Sequence, residues 1–471
     1  MRFFDEKTAI DLEFDLIRKI LSDAAVTQTV SDRLLNLQPY RNQEEIEHRL
    51  NLAHELQLIR NRGLQFPRME FEELNKEIRL LQINASVLEL EGIVKVLDAS
   101  RFINELFQFF KENNTDYFIL KGILENAYYT KDIEKAIEKV LDKRLQVKDN
   151  ASEELYQIRQ SIHSGKKQIN RNFDKAIKFA RSKGYIDDIS ENVIDNRRVL
   201  TVVSTYKRQV EGSILGSSKT GSLTYIEPKE NQALNRELDQ LIDDERKEIR
   251  RIFAELTNYL RQHLDLIENY QTILCTIDEI NTKVVLAKKI GGVKPQINFK
   301  NQDSFLKDAF HPILFLKNKE AQLKTIPQTF ELKSDSRLLV ISGPNAGGKS
   351  ITLKTMGLLQ IMFQSALLVP LSTKSRMGFF DYVLSDIGDN QSIENQLSTY
   401  SYRLQRMNFF LGKTSPKTLF LLDEFGTGSD PELGGALAEV FFETIYDEGC
   451  FGVITTHYSN IKLKAASYLR Q

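Results

Sequence analysis

Apolar positions in the first 130 residues recur at helical spacing. Phe14, Ile17, Ile20 and Leu21 form one set, and Ile46, Leu50, Ala53, Leu56 and Ile59 another, each an apolar stripe along one helix face. The same spacing predicts a helix from about Phe71 to Leu97 and one from Arg101 to about Phe110, with Pro39 and Pro67 in the breaks. Two longer seams follow. Leu155, Ile158, Ile162, Ile169, Phe173 and Ile177 lie close to heptad spacing in a helix predicted over 150–183, with Asn150 and Glu153 as its capping box. Leu234, Leu238, Leu241, Ile249, Ile252, Leu256 and Leu260 mark a second helix, from about Glu230 to Ile267. Two such seams predict an antiparallel coiled coil, with a pair of ordinary bundle helices as the plainer alternative. Between them the pattern turns strand-like at 199–203, 213–215 and 222–226, punctuated by Gly212, Gly216 and Gly221: a small β tip on a helical stalk, over about 194–228.

Beyond residue 290 short apolar runs alternate with helical segments. Strands are predicted at 338–342, 382–385, 418–422 and 452–455, an α/β layout with a mainly parallel sheet whose strand C-termini carry the chemistry. The expected fold is therefore multidomain α + α/β: a helical core over 1–130, two long arms with their β tip over 131–290, and an α/β domain over 291–471.

Composition narrows the function classes. Among 471 residues, 64 Lys and Arg face 65 Asp and Glu, a net charge of −1. Nucleic-acid binding would need a local basic patch, not a global field. Cys275 and Cys450 lie far apart without metal spacing, so no disulfide framework or zinc site is expected, and a reducing cytoplasm fits. No apolar run reaches the roughly 18–20 residues of a spanning helix, and Asp5 and Glu6 come too early for a secretory signal. A soluble cytoplasmic protein without a membrane partner is expected.

The densest chemistry lies at 343–350. Gly343, Pro344, Asn345, Ala346, Gly347, Gly348, Lys349 and Ser350 follow the apolar run 338–341 and precede Ile351, in a helix beginning near Gly348. This is a phosphate loop with every required position filled. Glycines let backbone N–H groups turn onto phosphates, and the helix adds its positive dipole end. Lys349 is expected on the β and γ phosphates and Ser350 on Mg²⁺. The buried strand 418–422 ends in Asp423 and Glu424, the first placed for the Mg²⁺ shell, the second for general-base activation of water. The apolar strand that follows Phe451 ends in Thr455, Thr456 and His457, and His457 is expected to contact a γ-phosphate. Lys167, Arg171, Lys175 and Lys178 share one face of the first arm, a stripe able to track a phosphate backbone; a solvated helix face is the bland alternative.

Several motifs together resemble the MutS family of ABC-type ATPases: Gly-Pro-Asn-x-Gly-Gly-Lys-Ser at 343–350, Asp-Ile-Gly-Asp-x-Gln-Ser at 386–392, Leu-Ser-Thr-Tyr-Ser at 397–401, Leu-Asp-Glu-Phe-Gly at 422–426 and Thr-Thr-His at 455–457. Residues 423–438, together with Arg198-Val199-Leu200 and the Ser-Leu-Thr-Tyr-Ile-Glu-Pro run at 222–228, are closest to its bacterial second paralogue, MutS-two. The resemblance implies an ABC-type domain using ATP and Mg²⁺, a lever and clamp, and a homodimer with shared ATP sites. Ser398 would then act in trans and Asp430 and Pro431 would cross the interface. His311 with Pro312 would lie near the adenine, and Gln364 would match the glutamine loop. Branched or mismatched DNA is the implied partner, in repair and suppression of recombination. RNA or the ribosome, in the rescue of collided ribosomes, is the alternative. An SMC-like or transporter ATPase fits less well, since the phosphate loop follows the coiled coil and Leu397-Ser398-Thr399 stands well upstream of the acid strand. Phe71-Glu72-Glu73 has the letters of a mismatch-reading wedge but falls on a predicted helix and reads as chance. The small MutS-related nuclease domain of that branch is not expected here, and nuclease activity is not assigned.

Overall fold

The computed structural model describes residues 3–113, 116–343, 348–388, 399–424 and 431–468. Among these the fold is a mixture of helices and sheets and divides into two compact units, each assembled from separate stretches of chain.

One unit comprises Leu74–Arg101 and Tyr129–Glu268. Its long helices, Glu153–Ser182 and Lys229–Arg261, run antiparallel. Arg159 Nε donates to Glu245 at 2.7 Å and the Asn231 amide donates to the Ile169 carbonyl at 3.1 Å, so the partners descend on one helix as they ascend on the other. Leu155, Ile162, Ile169 and Phe173 are buried on the first helix, Ile252, Leu256 and Leu260 on the second. The other predicted seam positions are half-buried. Polar groups also occupy the seam. Asn235 of the second helix is buried, and its amide donates at 2.6 Å to the buried Glu227, just ahead of that helix.

Helix boundaries depart from the periodicity where local hydrogen bonding competes. The first long helix is capped by Ser152, whose hydroxyl accepts from Leu155 N–H at 3.0 Å, not by Asn150. The second stops at Arg261, and a separate helix, Leu264–Ile290, follows. The helix expected from Phe71 to Leu97 is two, Asn75–Gln82 and Leu90–Glu112. The Arg261 guanidinium donates to the Leu81 and Ile83 carbonyls at 2.8 and 3.1 Å, so the interruption leaves these carbonyls satisfied.

Four antiparallel strands form the tip: β1 (Ile186–Ile194), β2 (Arg197–Val203), β3 (Gly212–Ser217) and β4 (Leu223–Pro228), in the order β1-β2-β4-β3. Leu200, Val202 and Ile226 pack on Phe173 of the helical pair. Strand β1 escaped the sequence pattern because it is an edge strand with Ile189 and Val193 exposed, so no apolar alternation marks it. Asp195 and Asn196, both at positive φ, make the tight turn into β2.

The other unit comprises Met1–Glu73, Phe102–Tyr128 and Asn269–Gln471. It carries β5 (Gln296–Ile297), β6 (Ser304–Ala309), β7 (Gln328–Leu332), β8 (Leu338–Ile341), β9 (Arg376–Met377), β10 (Tyr382–Asp386), β11 (Thr418–Leu422) and β12 (Phe451–Thr455). A mixed sheet has the order β5-β9-β6-β7. The other sheet, β10-β11-β12-β8, is parallel throughout and contains the four strands expected from the apolar runs. Phe410, Phe420, Phe441 and Phe442 fill one of its faces, and the mostly buried helix Lys349–Gln364 follows β8. Residues 71–73 precede the helix Asn75–Gln82 instead of lying on one. Phe71 is buried with its ring 4.7 Å from Phe102, and Glu73 accepts from the Thr29 hydroxyl at 2.7 Å. A buried ring in a core is not an exposed wedge. Among the described residues no helix is long and apolar enough to cross a membrane.

Candidate functional site

The parallel register brings four strand ends to one level. Ile341 pairs with Thr455, Ile454 with Leu422, and Leu422 with Asp386. Whatever follows each strand therefore meets at one edge of the sheet, as open α/β sheets place their sites.

After β8 the chain reaches Gly343, and after Pro344, Asn345, Ala346 and Gly347, which lie outside the described residues, it re-enters at Gly348. Gly348 is the N-cap of Lys349–Gln364 with φ 81°, a left-handed conformation that a side chain resists. Lys349 opens the helix and is only 5% exposed. Its Nζ donates to the Gly343 carbonyl at 2.6 Å and lies 3.1 Å from His457 Nε2. The ammonium is thus held across the loop it follows. Ser350 is exposed beside it and Ile351 half-buried.

From β11 come Asp423 and Glu424. Thr455, at the end of β12, fixes both: its hydroxyl donates to Asp423 Oδ1 at 2.5 Å and accepts from Glu424 N–H at 2.8 Å. Glu424 takes the left-handed region, φ 45°, uncommon for a residue with a side chain and frequent at functional sites. Its Oε1 stands 3.7 Å from His457 Nε2. Lys349 Nζ and Glu424 Oε1 therefore both approach His457 Nε2, with Asp423 anchored alongside. The Asp423 N–H is taken up by the Asp386 carbonyl at 2.9 Å.

The roles of Thr455 and Asp386 are not legible in the sequence. Their only signal was membership of the Thr-Thr-His and Asp-Ile-Gly motifs, because bridging hydrogen bonds depend on neighbours far apart in the chain.

Other expected residues fall elsewhere. Ser398 and Asp430 lie outside the described residues. His311 is 3% exposed and caps the helix Pro312–Glu320, its Nδ1 accepting from Leu314 N–H at 3.4 Å. Burial above all pushes its imidazole down to about 4, and the nearby Lys354 and Lys317 push the same way against Glu13. Gln364 does not fit a glutamine loop. It sits fifteen residues along the helix from Lys349, about 22 Å at 1.5 Å per residue, and its side chain is spent on the Phe380 backbone at 3.0 and 3.1 Å. Lys167, Arg171, Lys175 and Lys178 are all exposed on the helix Glu153–Ser182, away from its buried seam.

The donor set fits a nucleotide with a divalent cation. Among the described residues no group of three or more His, Cys, Asp or Glu forms a metal cage. Asp423 and Ser350 offer two hard oxygens, suited to Mg²⁺, which keeps water and phosphate oxygens for its remaining positions.

Residues 339–470 match the family model described as MutS domain V. The chain is 31% identical over 459 residues to Endonuclease MutS2 of Aquifex aeolicus, covering 97% of this chain and 59% of that protein. It is 33% identical over 457 residues to Endonuclease MutS2 of Clostridium perfringens strain SM101, covering 96% and 56%. With Endonuclease MutS2 of Staphylococcus saprophyticus it shares 31% over 472 residues, covering 99% and 59%. The chain thus spans somewhat more than half the length of these curated relatives.

Proposed function

We infer that this chain is a MutS2-like protein of the MutS family, and we propose that it hydrolyses ATP to switch its grip on DNA. The observation that carries the reading is the set of contacts joining Gly343, Lys349, His457 and Glu424 at the ends of β8, β12 and β11. A buried ammonium at a helix N-terminus, a histidine beside it and a carboxylate beyond are the parts needed to hold a terminal phosphate and activate a water against it.

In this proposal residues 343–351 cradle ATP and Lys349 exchanges the Gly343 carbonyl for phosphate oxygens. Ser350 and Asp423 hold Mg²⁺, which when bound supplies charge neutralisation between the phosphates. Glu424 orients the attacking water and accepts its proton, and His457 contacts the γ-phosphate. His311 would lie near the adenine. A second copy of the chain contributes Ser398 to the site, so ATP favours a closed dimer. The antiparallel helical pair and its β tip are the DNA-gripping part, with Lys167, Arg171, Lys175 and Lys178 on phosphates. Branched or mismatched DNA is the proposed substrate, in repair and restraint of recombination.

The test is ATP binding and turnover by the chain and by Lys349→Ala. Loss of the lysine should lower turnover by about 10²-fold or more, the scale for removing one preorganised charge-stabilising donor. Turnover equal to wild type would overturn the assignment of the loop. Glu424→Gln loaded with ATP should retain branched DNA in a pull-down; retention of RNA or ribosomes in its place would replace DNA as the partner.

A further inference from the structure

Strand β10 is one of the two outer strands of the parallel sheet, and an edge strand presents N–H groups with no strand to receive them. Residues 3–13 take that place. Val383 N–H donates to the Phe3 carbonyl at 3.1 Å, Ser385 N–H to the Thr8 hydroxyl at 3.1 Å, and the Ser385 hydroxyl to Asp11 at 2.8 Å. Arg406 donates to the Ser385 carbonyl at 2.6 Å and is itself paired with Asp5. The last residue of β10, Asp386, is paired with Lys7 at 2.7 Å, the two side chains being 10% and 18% exposed.

This pairing reaches the chemistry in one step. Asp386, whose carboxylate meets Lys7, also offers the carbonyl that receives the Asp423 N–H at 2.9 Å. A largely buried ion pair contributes little net stability, since desolvation offsets the attraction. Its effect here is geometric, because it fixes the strand end against which the acid strand is hung.

We propose that Lys7 is a positioning residue of the ATP site: by pairing with Asp386 it holds the end of β10, and through it the backbone of the Mg²⁺-directed Asp423. The inference rests on the ATPase reading above. Outer-shell partners of metal ligands typically change metal affinity by about 10–100-fold. Lys7 acts one backbone bond further out, so the low end, about tenfold, is expected.

The experiment uses the full chain and the variants Lys7→Met, Lys7→Arg, Asp386→Asn and the Lys7→Met/Asp386→Asn double. Mn²⁺ binding is followed by electron paramagnetic resonance in the presence of a non-hydrolysable ATP analogue. Amide exchange of the peptide 418–424 is measured without nucleotide. Lys7→Met should weaken Mn²⁺ about tenfold and speed exchange of that peptide. Lys7→Arg should restore most of both, and the double variant should be no worse than the poorer single. Unchanged Mn²⁺ affinity in folded Lys7→Met would overturn the proposal. So would a loss matched by an equal fall in the folded fraction, or singles that simply add. If the wild type neither binds the analogue nor turns over ATP, the ATPase reading fails first, a result separable from these.

Discussion

Exchanging Gly357 for Ala should destabilise the protein, although helix propensity alone says the reverse. Gly357 lies inside the helix Lys349–Gln364, where Gly to Ala ordinarily gains about 1 kcal/mol. A methyl placed there would stand 2.3 Å from Leu421 Cδ1 and 2.7 and 2.8 Å from the two Leu12 methyls. Both leucines are fully buried, at 0% exposure, and one comes from β11 while the other comes from the N-terminal segment. Overpacking of this kind costs about 1–3 kcal/mol, and three contacts below 3 Å place it at the upper end. The net expectation is a loss of about 2 kcal/mol, read as a lower urea midpoint with amide exchange confirming that the helix itself is affected. A compensating arm isolates the cause. Leu12→Ala alone opens a cavity and costs about 2–5 kcal/mol. In the double variant the new methyl enters that space, so the double variant should lose less than the sum of the two single losses by more than about 1 kcal/mol. A Gly357→Ala protein as stable as wild type, or strictly additive losses, would refute the reasoning.

Three further outcomes follow from the geometry. The folded His311 imidazole titrates near 4 against an ordinary 6.5, so the unfolded chain takes the proton first. Its contribution, about 3 kcal/mol at 1.36 kcal/mol per unit, is complete above pH 6.5 and lost as pH falls towards 4; His311→Asn, which keeps a cap acceptor, should flatten the stability profile in that window, and an unchanged slope would exclude His311 as its source. Glu424→Gln should retain ATP while hydrolysis slows by about 10²–10⁴-fold, checked by single-turnover kinetics, with failure to retain nucleotide counting against the general-base role. Changing Lys167, Arg171, Lys175 and Lys178 to Glu should weaken DNA binding and reduce its log–log salt slope by roughly 3–4; wild-type affinity would return these residues to a solvated face.

Legibility varied with the kind of interaction. The strands β10, β11 and β12 stood out because their burial is nearly continuous, as at residues 418–422, half-buried β8 because its residues 338–341 are all apolar, and the long helices because one apolar face persists. Strand β1 was invisible because an edge position asks little of its side chains. The Asn150 cap was misplaced by two residues, since Asn150 and Ser152 both offer a capping oxygen and only the backbone path decides which one reaches an orphan N–H. Gln364 was misread because a motif letter carries no distance.

The sequence by itself determined the order of the helical arms, their strand-bearing tip and the four parallel strands, and the types of chemical group at the strand ends: a glycine-rich loop with Lys349, an acid pair and His457. These are local properties, set by periodicity and by residue type along neighbouring positions. Only the tertiary structure decided that Lys349 spans from the Gly343 carbonyl to His457 and that Thr455 holds Asp423 and Glu424 together. It also decided that Lys7, 379 positions from Asp386, stands behind the acid strand. Such contacts depend on strand register and on which segment covers an open edge. Both are set by the packing of distant parts of the chain, which no local pattern encodes.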